Sequence, residues 1–231
     1  MPKPASDWLS RLPRNRLIAE YSMWSADLIR LADDLVRITP HADVLHVDVA
    51  DGHFAPALLF FPDLVAKIRD ETALPIHVHL MVADAVLGAQ IAQFAEAGAD
   101  LISIHVENAN VAEVALDQLA GLGVAAGMVL RVETPVAQAA PWVDRLDFLT
   151  LLGTAIGVKG QGLDPAAGAR LGEAGALIAA SGRQIVLAAD GGIRDTTVPL
   201  LRAAGAQTVV LGSLAFGAPD LAERMRWLHV L

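Results

Sequence analysis

His46-Val47-Asp48-Val49-Ala50-Asp51-Gly52-His53-Phe54 begins as a β-strand and ends on an Asp-Gly turn. Period-two alternation places His46 and Asp48 on one face, so both side chains leave the strand near its C-terminal end on the same side. The residues around them are almost all Val, Leu and Ala, which is the composition of a strand buried on both faces and paired in parallel. Similar runs recur at 17–21, 76–81, 101–105, 125–130, 148–152, 184–189 and 208–211. Helical patterns follow many of them, at 26–38, 84–97, 111–120, 165–180 and 195–204. Ala97-Gly98-Ala99-Asp100 recurs as Ala204-Gly205-Ala206-Gln207, in each case with a glycine placed to cap a helix before the next strand. Eight strand–helix units without a linker predict an α/β chain folded as a single (β/α)8 TIM barrel, with a doubly wound open sheet as the alternative. Residues 1–16 read as a short N-terminal extension and 17–231 as the barrel that carries catalysis. Trp8 and Leu9 of the extension are candidates for a subunit contact, against the alternative of a frayed tail.

The composition supports this size of core. The 231 residues are 54% hydrophobic and only 19% charged, with 19 glycines. No long uncharged apolar run exists, so no membrane contact is expected. A net charge of −9 argues against nucleic acid as a partner. Residues 1–16 lack the apolar stretch of a secretory signal, and the chain has no cysteine, which together fit a cytoplasmic location. An anionic ligand stays admissible, because backbone N–H groups and helix N-termini bind phosphate locally whatever the global charge.

A barrel displays its functional residues at the C-terminal ends of its strands. The third strand carries His77-Val78-His79-Leu80-Met81, again with two histidines on one face, and the seventh ends Ala188-Ala189-Asp190-Gly191-Gly192. Two histidines and two aspartates converging from three strands make a candidate site for zinc or another first-row divalent ion. By pattern alone, the reading of hydrogen-bonded core histidines and a turn-capping aspartate stays open.

Beyond these spacings, Tyr21-Ser22-Met23-Trp24-Ser25-Ala26-Asp27-Leu28, the stretch from His46 to Pro56, His79-Leu80-Met81-Val82, His105-Val106-Glu107, Asp190-Gly191-Gly192-Ile193 and Leu211-Gly212-Ser213 fall in order along the chain. In that order they resemble the signature of the ribulose-phosphate 3-epimerase family. The resemblance implies that His46, Asp48, His79 and Asp190 bind one divalent metal ion (zinc, iron, manganese or cobalt) and that Asp48 and Asp190 are the two acid/base groups. It further implies substrate contacts from Ser22 and His79, and a phosphate cradle from Gly191, Gly192, Gly212 and Ser213. The implied activity is C3 epimerisation of a small phosphorylated ketose through an enediolate, without an organic cofactor, in a homo-oligomer. His53, His77 and His105 are left as core or supporting groups.

Two loops depart from the resemblance. After the sixth strand, the stretch from Leu149 to Gln161 keeps only the Gly160-Gln161 ending and is longer. Lys159 there brings a cation with no counterpart, with a phosphate contact or a solvated loop charge as its two readings; Gly160 joins the candidate substrate contacts. After the fifth strand, Arg131-Val132-Glu133-Thr134-Pro135 puts a guanidinium at a strand end, to meet an anionic substrate group or pair with Glu133. Ala50 stands where the family has methionine, so a tetrulose or ketohexose phosphate is the alternative substrate. A non-catalytic sugar-phosphate-binding barrel is the alternative from another class. Barrels that work through Asp-x-Lys-x-x-Asp are disfavoured, since His46, Asp48 and Asp51 align there with no lysine. Lys67 and Lys159 fall outside the strands, which disfavours a Schiff-base aldolase.

Overall fold

Strands form where the chain is apolar on both faces. In the computed structural model, which describes residues 1–231, they are β1 (Ile18–Ser22), β2 (Val44–Ala50), β3 (Ile76–Met81), β4 (Leu101–His105), β5 (Ala125–Leu130), β6 (Phe148–Leu152), β7 (Val186–Asp190) and β8 (Thr208–Leu211). Each pairs in parallel with its neighbours in sequence order, and β8 pairs back onto β1 through Ile18 opposite Thr208 and Tyr21 opposite Leu211. The sheet is therefore a closed eight-stranded barrel and not an open doubly wound sheet.

The helices are α1 (Leu31–Ile38), α2 (Pro62–Glu71), α3 (Asp84–Glu96), α4 (Ala112–Leu122), α5 (Ala167–Ser181), α6 (Val198–Ala203), α7 (Ser213–Phe216) and α8 (Leu221–His229). Three differences from the sequence expectation have local causes. The segment from Ala26 to Arg30 is not helical: the Asp27 carboxylate accepts from Ile29 N, and Asp34 accepts from Asp27 N, which fixes a turn ahead of α1. The crossover between β5 and β6 holds no α-helix but two 3₁₀ turns, Val136–Ala139 and Val143–Arg145. Pro135 and Pro141 interrupt any longer helix there. Helix α6 starts at Val198, because Thr197 Oγ1 instead closes the loop after β7 onto Gly192 O. The expected glycine stops do follow α3 and α6, with Gly98 and Gly205 at φ of 101° and 107°.

The main core fills the space between barrel and helices, from Leu17 through Phe94 and Leu149 to Leu228. Arg69 of α2 is fully buried in it. It donates to Gly98 O at 3.1 Å and Thr72 O at 2.9 Å, and forms an ion pair with Asp100, which also accepts from Ile76 N. A second core closes the N-terminal end of the barrel. Ile18, Val44, Leu101, Phe148 and Ala188 meet there, and Trp8, Leu9 and Leu12 of the N-terminal segment pack beneath them. Trp8 and Leu9 thus rest on the barrel floor. No helix is long and apolar enough to cross a membrane.

Candidate active site

Above that apolar floor the barrel interior turns polar. Alternation along the strands sends Glu20, His46, His77, Ser103 and Thr208 inward as one fully buried layer. The next layer toward the C-terminal ends holds Ser22, Asp48, His79, His105 and Asp190. Between β2 and β3 the register follows the layers, with His46 opposite His77 and Asp48 opposite His79, while β1 is offset so that Ser22 of the upper layer pairs with His46.

Four side chains meet at the boundary of the two layers. His46 Nε2 lies 3.1 Å from Asp48 Oδ1 and 3.9 Å from Asp190 Oδ2. His79 Nδ1 lies 3.2 Å from Asp48 Oδ1 and 3.9 Å from Asp190 Oδ2. All four ligand atoms fall within 4.8 Å of one another. Donors about 2.1 Å from one tetrahedral ion are roughly 3.4 Å apart, and the observed distances bracket that spacing. Two imidazoles and two carboxylates are also a donor set suited to a first-row divalent ion. The residues therefore fit the metal that the sequence pattern points to.

Electrostatics separates the two carboxylates. Burial raises the proton affinity of Asp48, but the imidazoles of His46 and His79 overcome it and hold the carboxyl well below the usual range. For Asp190 burial dominates, with His46 opposing and the Asp48 charge assisting, and the carboxyl is pushed up to about 6. Ser22 Oγ donates to Asp48 Oδ2 at 3.0 Å, so Oδ1 faces the histidines while Oδ2 holds the hydroxyl. Burial would lower His46, yet Asp48 and Glu20 hold it well above the ordinary imidazole range. Burial takes His105 down to about 4.

A cavity of about 340 Å³ opens over the cluster, a size within the range of small-ligand pockets. Ser22, Asp48, His79, Lys159, Gly160, Asp190, Gly191, Gly192, Gly212 and Ser213 all line it, and His46 lies beneath its floor. The long loop after β6 forms one wall. Its Gly157 sits against Ala55 and Pro56 of the loop after β2, and Lys159 Nζ reaches the Trp24 carbonyl at 2.5 Å while lying 4.5 Å from the centre of the Trp24 ring. Trp24, Met81, Thr154 and Ile156 also line the cavity, none of which the sequence pattern singled out.

Arg131 has neither of its two expected partners. Its guanidinium stacks 4.2 Å from the Phe54 ring centre and donates to Phe54 O at 2.8 Å, bracing the loop after β2 instead of meeting the cavity or pairing with Glu133. His53 is exposed on that same loop. His77 and His105 sit inside the barrel, bonded to Glu20 and Glu107 respectively.

Comparison with known proteins points to one family. The model of the ribulose-phosphate 3-epimerase family matches residues 18–216. Ribulose-phosphate 3-epimerase 2 of Cupriavidus necator is 37% identical over 204 residues, covering 86% of this chain and 84% of that one. The ribulose-phosphate 3-epimerase of Bacillus subtilis is 33% identical over 201 residues, covering 86% and 92%. Among solved structures, a 3-hexulose-6-phosphate synthase superposes with a TM-score of 0.64 at 15% identity over 92% of this chain and 98% of that one. Orotidine 5'-phosphate decarboxylase from Pyrococcus horikoshii gives 0.62 at 15% identity, over 91% and 97%. At that identity the two structures speak for the barrel alone.

Proposed function

The chain belongs to the ribulose-phosphate 3-epimerase family, and from that premise we propose that it catalyses reversible, metal-assisted epimerisation at C3 of a phosphorylated ketose, with D-ribulose 5-phosphate and D-xylulose 5-phosphate as its pair. The observation that carries the reading is the convergence of His46, Asp48, His79 and Asp190 on the floor of a cavity walled by two glycine loops and Lys159.

The phosphate end of the substrate fits the wall made by Gly191, Gly192, Gly212 and Ser213, where backbone N–H groups and the Ser213 hydroxyl serve as donors. Lys159 and Gly160 supply the opposite side of that cradle. The ketose carbons then lie over the acidic cluster. Removing the C3 hydrogen beside the ketone makes an enediolate, and its charge must be stabilised. A divalent cation held by the four side chains (zinc, iron, manganese or cobalt) supplies Lewis-acid stabilisation of negative charge on the substrate oxygens. Asp48 Oδ2 takes the proton from one face of the carbon, steadied by the Ser22 hydroxyl. Asp190 returns a proton to the other face through Oδ1, since its Oδ2 faces the histidines. In the reverse direction the two exchange roles, and no organic cofactor is needed.

The cysteine-free chain supports a cytoplasmic setting. Exposed Leu28, Ile29 and Val36 around α1 support association of like chains. Residues 1–16 serve as a plug under the catalytic barrel of 17–231. A panel of pentulose, tetrulose and hexulose phosphates followed by NMR tests the proposal. Appearance of the C3 epimer, fastest for the pentulose, is expected; binding without any epimer in metal-loaded protein would reduce the chain to a sugar-phosphate-binding barrel.

A further inference from the structure

Each imidazole facing the cluster is held from behind by a hydrogen-bond chain that ends on a carboxylate. His46 turns Nε2 to Asp48, and its Nδ1 lies 2.7 Å from Glu20 Oε1. An ionised carboxylate only accepts, so His46 Nδ1 carries the hydrogen and donates it. With a cation in the cluster displacing the hydrogen shared with Asp48, the lone pair would be left on Nε2, the atom aimed at the cluster.

His79 is arranged the other way round. Its Nδ1 faces Asp48, and its Nε2 lies 2.8 Å from His105 Nε2. His105 Nδ1 lies 3.0 Å from Glu107 Oε2. Glu107 accepts the Nδ1 hydrogen of His105, which leaves His105 Nε2 bare to accept from His79 Nε2–H. The His79 lone pair thereby falls on Nδ1, again the atom aimed at the cluster. This assignment of ring hydrogens comes from the hydrogen-bond network as a whole.

The surroundings are built to keep these carboxylates in place. Glu20 has no exposed surface, and an ionised group at such depth is costly unless fully bonded. Its Oε1 also accepts from His77 Nδ1, and Thr208 Oγ1 donates to Oε2 at 3.3 Å. His77 Nε2 is in turn 2.6 Å from Ser103 Oγ. That serine fits because residue 127 is glycine: a Cβ there would fall 1.9 Å from Ser103 Oγ. Glu107 accepts from Thr134 Oγ1 and from Arg131 N at 3.1 Å. Neither glutamate lines the cavity, so neither touches substrate. Glu20, His46 and His77 could be read as a second metal cluster. However, the 2.7 Å from Glu20 to His46 is hydrogen-bond spacing, well under the roughly 3.4 Å between two ligands of one ion.

We infer that Glu20 and Glu107 are positioning residues that impose opposite tautomers on His46 and His79, so that both present a lone pair to one divalent cation. The inference rests on the metal-binding reading above. It makes Glu20 and Glu107 determinants of metal affinity without any contact to metal or sugar.

The test uses zinc-loaded, 15N-histidine-labelled protein and long-range proton–nitrogen NMR. The expected spectrum shows His46 protonated on Nδ1 and His79 protonated on Nε2. Chelator competition is then run on the wild type, Glu20→Gln and Glu107→Gln. Each variant should bind zinc about 10–100-fold more weakly. Glu20→Gln should displace the His46 nitrogen signals and Glu107→Gln those of His105 and His79. Matching tautomers on the two histidines, or wild-type zinc affinity in both variants, would overturn the inference while leaving the metal site standing. Wild-type protein that binds no zinc would overturn the metal reading as well. Should Glu20→Gln not fold, the wild-type spectrum alone decides between the two outcomes.

Discussion

Gly191→Ala is the substitution whose cost is most directly worked from the structure. Gly191 follows the last residue of β7 and has φ of 88°, a conformation that L side chains rarely adopt. Holding an alanine there costs about 1–2 kcal/mol by the left-handed penalty alone. A Cβ at that position would meet Thr154 Oγ1 at 2.3 Å and Thr154 N at 3.2 Å. The hydroxyl must move by about 1 Å to reach ordinary contact, and overpacking of this kind typically costs another 1–3 kcal/mol. The sum, roughly 2–5 kcal/mol, falls short of typical total stability, so the variant folds. For a chain of this length it lowers Tm by roughly 4–20 °C. Because Thr154 and Gly191 both line the cavity, KM for the sugar phosphate should rise at the same time. Thermal unfolding of Gly191→Ala, Thr154→Ala and the double variant separates the two contributions. Removing Oγ1 should recover the overpacking part and leave the backbone part. A single variant within about 0.5 kcal/mol of wild type would refute the reasoning, as that is the scale of a neutral surface change.

Other outcomes follow from the same structure. Lys159→Met removes a cation from the cavity wall and should raise KM for a phosphorylated substrate about 10-fold, leaving bound metal unchanged by elemental analysis. Arg69→Met leaves the partly buried Asp100 without its ion-pair partner and frees two buried carbonyl partners, so urea unfolding should show a loss of about 3 kcal/mol. Burial raises the Glu107 carboxyl, but bonds from His105 and Thr134 outweigh it and take it down to about 2, from an ordinary 4.5. Its contribution to stability is therefore complete above about pH 4.5 and lost as the pH falls toward 2. Chelator-treated Glu107→Gln should show a shallower fall of urea midpoint than wild type across that window.

The strands were readable because a parallel barrel strand is apolar on both faces, which marks it whatever its neighbours do. Helix α2 was not read, although Pro62 at its first position is a starting signal; its sequence Pro-Asp-Leu-Val-Ala-Lys-Ile-Arg-Asp-Glu is polar overall and buries only Val65, Ile68 and Arg69. Helix α8 carried a cue as well, as Asp220 accepts from Glu223 N at 2.8 Å. His46, Asp48, His79 and Asp190 stood out because each is polar at an inward position near a strand end. Glu20 offered the same cue, a charge inside the apolar strand Ile18-Ala19-Glu20-Tyr21-Ser22, but its partner His77 lies on another strand. Only barrel closure brings them together. Arg131 shows the reverse: its position near a strand end invited a functional role, and the Phe54 ring beside it claimed the guanidinium.

The central claim is proton exchange at C3 through Asp48 and Asp190, dependent on the ion between them. Its most direct test is deuterium incorporation at C3 of D-ribulose 5-phosphate in heavy water, with wild type, chelated wild type, Asp48→Asn and Asp190→Asn compared at measured metal content. The account predicts exchange with epimer in the metal-loaded wild type, none after chelation, and no epimer from either variant even where metal remains bound. Epimer formed at the wild-type rate by either Asn variant, or by chelated protein, would contradict it.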